Sequence, residues 1–356
     1  MARRPASITL LAGPDALTLL RERGLRAEDV EVLPGASGGP KWLVLEAMDR
    51  FLFGEFLQQP RARPLHLIGS SIGSWRLACF AQRDPIAAIE RLREGYIEQR
   101  YPPRPSPALV SRTSAALADA VLGETGAEEI LSHPWARLHV ITAECRGWAA
   151  SERRPLQMLA MAIAAAGNLV SRRTLALQMR RVVFDGAGAA SPFRTLSDFP
   201  TVHVPLTREN LRPALIASGA IPLVLEGVPI DDAPGGVHRD GGIIDYHLDL
   251  DYGPGEGLVL YPHFYPHVVP GWFDKALRWR RARGENFRRA LILAPTAGFV
   301  ARLPHSKIPD RTDFDRMNDA ERIAAWRRVV AMSEELADEL RELLATGRLA
   351  EAVRPL

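Results

Sequence analysis

The apolar run Leu65-His66-Leu67-Ile68 leads into Gly69-Ser70-Ser71-Ile72-Gly73 and then into the helix-compatible stretch 75–81, so a predicted strand turns into a predicted helix at a serine. That junction constrains the fold: Ser71 must sit at the carboxyl end of a strand, on a bend sharp enough to leave its hydroxyl clear of the sheet. Only small residues two before and two after the serine permit such a bend. Gly69 and Gly73 meet the requirement. The five-residue pattern is weak alone, because Gly and Ser are common in any turn.

Two further segments give it meaning. Upstream, residues 30–33 read as a short strand, Gly35-Ala36-Ser37-Gly38-Gly39-Pro40-Lys41 as a small-residue turn, and residues 42–56 as a helix. Backbone N–H groups freed at such a turn, aided by the helix dipole, bind negative charge, as the tetrahedral oxyanion of acyl transfer requires. Pro40 has no N–H, which leaves Gly38 and Gly39 as donors, with Ile72 a third. A phosphate-binding loop needs Gly before its lysine and a hydroxyl after it, whereas Lys41 is flanked by Pro40 and Trp42. An ordinary structural turn is the remaining reading. Downstream, Val237-His238-Arg239-Asp240-Gly241-Gly242 ends a short extended piece on a carboxylate. Partial burial and hydrogen-bond reach would let that carboxylate take a serine proton directly. His238 reads as a rim or packing residue rather than a base.

These pieces, in this order, resemble the patatin-like phospholipases, whose glycine-rich oxyanion loop, G-x-S-x-G elbow and downstream D-G-G/A carry a serine–aspartate dyad. Ala217-Ser218-Gly219-Ala220-Ile221-Pro222 is similar to the A-S-x-A-x-P block that precedes the aspartate in that family, and the similarity spans residues 28–245. The resemblance implies a three-layer α/β/α fold with a mostly parallel central sheet. It implies Ser71 as nucleophile, Asp240 as base and Gly38 with Gly39 as the oxyanion hole, supported by Gly35, Lys41, Gly69, Gly73, Gly241 and Gly242. It further implies an acyl ester hydrolase of the phospholipase A type acting on a lipid or other acyl ester, with no cofactor and no metal. Ser37 and Trp42 stand where the family writes glycine, and Trp42 is expected to crowd the acyl or headgroup pocket.

Two other functions fit the same residues. A serine–aspartate–histidine triad would recruit His247, His263, His267 or His305, although few predicted strands precede Ser71. A non-catalytic acyl- or membrane-binding protein would keep the fold but needs neither elbow nor base. The alternating His247, Asp249 and Asp251, with Asp245 nearby, suggest a metal, but prolines at 262 and 266 keep His263 and His267 from sharing a helix face.

With 356 residues, 47% hydrophobic and 24% charged, the chain is long enough for a substantial core and is not disordered. Forty-five basic residues nearly balance 42 acidic ones, so the net charge of +3 argues against nucleic acid as a partner. Lysine occurs only at Lys41, Lys275 and Lys307, which reads as a base-composition bias. Cys79 and Cys145 form no disulfide framework. The start at residues 1–4 is basic, but Gly13-Pro14-Asp15 cuts the apolar stretch 8–12 too short for a signal peptide, so a cytoplasmic location, with transient membrane-surface contact, is expected.

Helical spacing predicts helices over 85–100, 107–122 and 318–346, and further strands at 138–143, 182–184, 202–204, 258–261 and 290–294. The stretch 156–166 is apolar nearly all round, and reads as a buried core helix or as a lid or interfacial helix. A hydrolase domain over 1–310 with helical insertions and a helical segment over 311–356 packed upon it complete the expected organisation. No feature bears on oligomeric state.

Overall fold

Each apolar run read as a strand forms one. The computed structural model describes residues 6–186, 191–282 and 284–356, so the basic start at 1–4 lies outside the described residues. In chain order the strands are β1 (Ile8–Ala12), β2 (Val30–Gly35), β3 (Leu65–Ser70), β4 (Ala136–Cys145), β5 (Met179–Asp185), β6 (Thr201–Pro205), β7 (Val228–Pro229), β8 (Val237–Asp240), β9 (Leu258–Pro262), β10 (Ala290–Pro295) and β11 (Val353–Pro355). They form one sheet in the order β11-β1-β10-β9-β2-β3-β4-β5-β6, with β8 attached to β4 and β7 to β8. The middle of the sheet, from β10 through β9, β2 and β3 to β4, is parallel. The β1–β10, β4–β5, β4–β8 and β7–β8 pairs are antiparallel. Both faces of β9 and β10 are buried along their whole length, as expected where helices cover a parallel sheet on both sides. The chain is therefore an α/β protein with a large, mostly parallel mixed sheet.

The helix expected over 107–122 runs Pro107–Leu122, started by Ser106, whose side chain accepts from the Leu109 amide, and ended by Gly123 at positive φ. The expected 42–56 helix is instead three segments: a 3₁₀ turn Gly39–Leu45, an α-helix Glu46–Phe51 and a π-turn Leu52–Phe56. Pro40 and the positive φ of Gly39 set a tight entry, and close packing takes over at Gly54, where a Cβ would meet Ile86 at 2.5 Å. Neither reading of 156–166 describes it fully: the helix Arg154–Val170 buries Gln157, Ala160, Met161, Ala164 and Asn168 and leaves its other face outside. Among the described residues no helix is long and apolar enough to cross a membrane.

Beyond the expected boundary at 310/311 the chain packs on the preceding residues. Past it, the helix Asp319–Ala345 packs on Glu46–Phe51 and the following chain adds β11 in parallel beside β1. Trp326 anchors the segment: it is 1% exposed, its ring meets Phe314 edge-on at 5.3 Å, and its Nε1 donates to Asp313 Oδ2 at 2.9 Å. Removing so large a buried ring opens a cavity and takes one of its donors from the Asp313 carboxylate. Trp326→Ala is therefore expected to lower the unfolding free energy by about 3–5 kcal/mol, measured by urea denaturation.

Candidate active site

Parallel pairing sets Gly35 of β2 opposite Gly69 of β3, so the two strands end side by side. The loops that follow meet backbone to backbone: a Cβ on Gly73 would lie 1.9 Å from the Gly35 carbonyl oxygen, and one on Gly69 would lie 2.6 Å from the Ser74 nitrogen. No larger residue fits there. β8 arrives antiparallel to β4 with Asp240 opposite Thr142, one residue beyond Ile141, the partner of Ser70. Asp240 thus ends at the same edge as Ser71.

Ser71 holds φ 54° and ψ −134°, between β3 and the helix Ile72–Phe80. A side-chain-bearing residue in that region stores about 1–3 kcal/mol of strain, tolerated where surrounding bonds over-determine it. Those bonds are visible. The Ser71 amide donates to Ser218 Oγ at 2.8 Å; Ser218 Oγ in turn donates to the Ile141 carbonyl at 2.6 Å and contacts Ser74 Oγ at 3.0 Å. Ser70 Oγ donates to the Asp245 carbonyl at 2.8 Å and also pairs with Ser37 Oγ, tying the elbow to the glycine loop. Arg76 of the elbow helix makes a buried bidentate pair with Asp49 at 2.7 and 2.6 Å.

The Ser71 hydroxyl donates to Asp240 Oδ2 at 2.8 Å, and the Gly242 amide donates to Oδ1 at 2.7 Å. Asp240 is 6% exposed, and burial pushes its carboxyl from the usual 3.8 up to about 6, partly opposed by those two hydrogen bonds. Beside the pair, the amides of Gly38, Gly39 and Ile72 have no protein acceptor among the described residues. Gly39 has φ 55°, which favours glycine, and a Cβ on Gly38 would strike the Phe264 ring at 2.7 Å.

A cavity of about 420 Å³ opens over these groups. Ile221, Pro222, Ile243, Tyr246 and Trp272 supply its apolar wall, Lys41, Lys275 and Arg311 line it as cations, and Asp310 and Asp315 line it as acids beside Asp240. None of the three cations has a hydrogen bond or an ion pair with a described residue; the Lys275 ammonium lies 4.2 Å from the centre of the Tyr246 ring. Solvent reaches the Lys275 side chain, yet the cavity wall hems it in, and that crowding, with the charge of Lys41, lowers its ammonium to about 7. Crowding lowers Lys41 as well.

The sequence-predicted residues Gly38, Gly39, Lys41, Ser71, Asp240 and Gly242 thus meet at one cavity, while Gly35, Gly69, Gly73 and Gly241 lie behind it as close-packed backbone. Trp42 departs from expectation. It is fully buried and meets the Tyr96 ring edge-on at 6.3 Å, because the 3₁₀ turn after Pro40 directs it into the core, so it does not crowd the cavity. No histidine lines the cavity: His247 Nδ1 accepts from the Val269 amide at 3.0 Å, His263 engages the Tyr265 backbone, His267 stacks on Tyr265, and His305 lies on an exposed turn. His238 is buried against Thr142 Oγ1 at 3.0 Å. The acids beside His247 are used separately, Asp245 by Arg181 and Arg172, Asp249 by Asn286 and Asp251 by the Gly253 amide. Among the described residues no metal-binding group of His, Cys, Asp and Glu gathers.

Sequence reasoning did not single out Lys275, Arg311, Tyr246 or Trp272. One signal was legible: of three lysines in an arginine-rich chain, two line this cavity. In comparisons with known proteins, no protein-family model matches the chain and no curated protein matches it.

Because the folded-state value of Asp240 lies above 3.8, the folded protein holds that proton more tightly than the unfolded chain does. The carboxylate therefore destabilises the fold increasingly as pH rises from 3.8 to about 6. Asp240→Asn is expected to gain melting temperature relative to wild type across that window and to hold a constant difference above it, followed by calorimetry.

Proposed function

We propose that the chain is a serine acyl hydrolase of the patatin-like type, with a three-layer α/β/α arrangement around its sheet, acting on an acyl ester that carries a phosphate or carboxylate near the scissile bond. The observation that carries the reading is the 2.8 Å contact between Ser71 Oγ and Asp240 Oδ2 on a strained elbow, beside unpaired amides. Asp240 accepts the Ser71 proton as Oγ attacks the acyl carbon, and the carbonyl oxygen gains its charge against the Gly38 and Gly39 amides. Collapse expels the alcohol, which takes the proton from Asp240. Water then attacks the acyl-serine, Asp240 accepts its proton and returns it to Oγ, and the acid leaves. A carboxyl near 6 is ionised at neutral pH yet basic enough to accept a proton in the transition state.

The anionic part of the proposal rests on Lys41, Lys275 and Arg311, three cations that make no hydrogen bond or ion pair with a described residue and that line, beside Asp310 and Asp315, a cavity with an apolar wall. A phosphate or carboxylate would pair with these cations and be oriented by them.

A fluorophosphonate probe is expected to label the wild type at Ser71 and to leave Ser71→Ala unlabelled. Asp240→Asn lowers kcat by about 100- to 10,000-fold. The kcat/KM of wild type rises with pH through about 6 on every ester as Asp240 ionises, and on anionic esters alone it falls again above about 7 as Lys275 loses its charge. Lys275→Met removes that fall and raises KM for anionic but not neutral esters in steady-state assays.

A further inference from the structure

A surface helix of a folded protein normally turns its apolar face inward and its polar face to water. The helix Arg154–Val170 turns apolar side chains outward as well as inward. Its buried face includes Gln157 and Asn168, each hydrogen-bonded, whereas Met158, Leu159, Ile163, Leu169 and Val170 stand exposed, Val170 at 84%. After Arg154 the helix carries no charged residue at all. The apolar surface continues into adjoining elements. Leu177, in the 3₁₀ segment Arg172–Leu177 packed on the helix, is 82% exposed. Trp279 lies in a turn joined to the helix end by the Arg280 guanidinium, which donates to the Leu169 carbonyl at 3.1 Å. Trp148, on the short turn packed at the other flank, is exposed too. Apart from Leu356, every large exposed apolar side chain among the described residues belongs to these elements.

The unpaired charge around it has one sign. Arg153, Arg154, Arg173, Arg278 and Arg281 have no acidic partner among the described residues, and the one carboxylate between residues 146 and 181, Glu152, is taken by Arg239 at 2.6 Å and the Gly227 amide at 2.9 Å. An apolar stripe edged by tryptophan and unpaired arginine matches a bilayer surface with anionic headgroups, where acyl tails receive the stripe and phosphates the guanidinium groups. A second copy of this chain would instead bring five like charges against five.

We infer that the outer face of the helix Arg154–Val170, with Leu177 and Trp279, is a docking surface for an anionic lipid bilayer. The same helix holds two walls of the cavity. Gln157 Oε1 accepts from the Leu223 amide at 2.6 Å, next to Pro222, and Asn168 Nδ2 donates to Asp274 Oδ1 at 2.7 Å, next to Lys275. A bilayer seated on the outer face therefore bears on the segment that frames Ser71.

The test uses full-length protein carrying Ser71→Ala, so that lipid turnover plays no part and the outcome does not depend on the hydrolase reading. Sedimentation with phosphatidylcholine vesicles doped with phosphatidylglycerol is expected to carry the protein down; pure phosphatidylcholine vesicles and high salt are expected to leave most of it in solution. Leu159→Glu with Ile163→Glu lowers partitioning by about tenfold or more at an unchanged melting temperature, and Arg173→Glu with Arg278→Glu does the same. Failure of the folded protein to bind the anionic vesicles overturns the inference. So does a stable dimer in solution that the Leu159→Glu, Ile163→Glu variant converts to monomer, since a second copy would then cover the face.

Discussion

Two glycine backbones in contact govern the architecture of the site. Gly35 ends β2 and Gly73 lies in the first turn after β3, and the space between them is too small for one added carbon: a Cβ on Gly73 would sit 1.9 Å from the Gly35 oxygen. That contact lets the glycine loop and the serine turn leave the sheet side by side. The Gly38 and Gly39 amides and the Ser71 hydroxyl then share one edge without long or flexible connections. The strain at Ser71 is held by the same packing, together with Ser218 beneath its amide and Ser37 against Ser70.

Burial then sets the chemistry. Asp240 sits in a nearly dry position with two hydrogen bonds, one to each oxygen, and desolvation outweighs them in setting its basicity. The charges behind the site are consumed locally, Asp49 by Arg76 and Asp245 by Arg181 and Arg172, so they orient the frame without facing the cavity. In the cavity, by contrast, Lys41, Lys275 and Arg311 make no ion pair with a described residue.

The helix Arg154–Val170 shows why burial cannot be read from composition alone. An alanine-, leucine- and methionine-rich stretch is equally compatible with a core position and with an apolar surface, because periodicity reports which residues share a face and not which face meets protein. The neighbours decided it: the turns at Gly147–Ala150 and Trp272–Asp274 pack one side and nothing among the described residues packs the other. The chain beyond residue 310 was legible only in part for a related reason. Its long helix was legible from spacing, whereas the three-residue strand β11 and the contribution of Arg311 to the cavity depend on contacts made across most of the sequence.

The order of the strands along the chain, the elbow at Ser71, the carboxylate at Asp240 and the turn at Gly38 and Gly39 were all written in local sequence, because each depends on a bend or an apolar run only a few residues long. Local chemistry dictates those features. Sheet order, the route of Trp42 into the core, the ties made by Ser218 and Ser37, and the meeting of Lys41, Lys275 and Arg311 around one cavity were settled by folding alone. They arise from contacts between distant segments, whose partners are chosen by packing volume and strand register, and neither quantity is carried by any short stretch of residues.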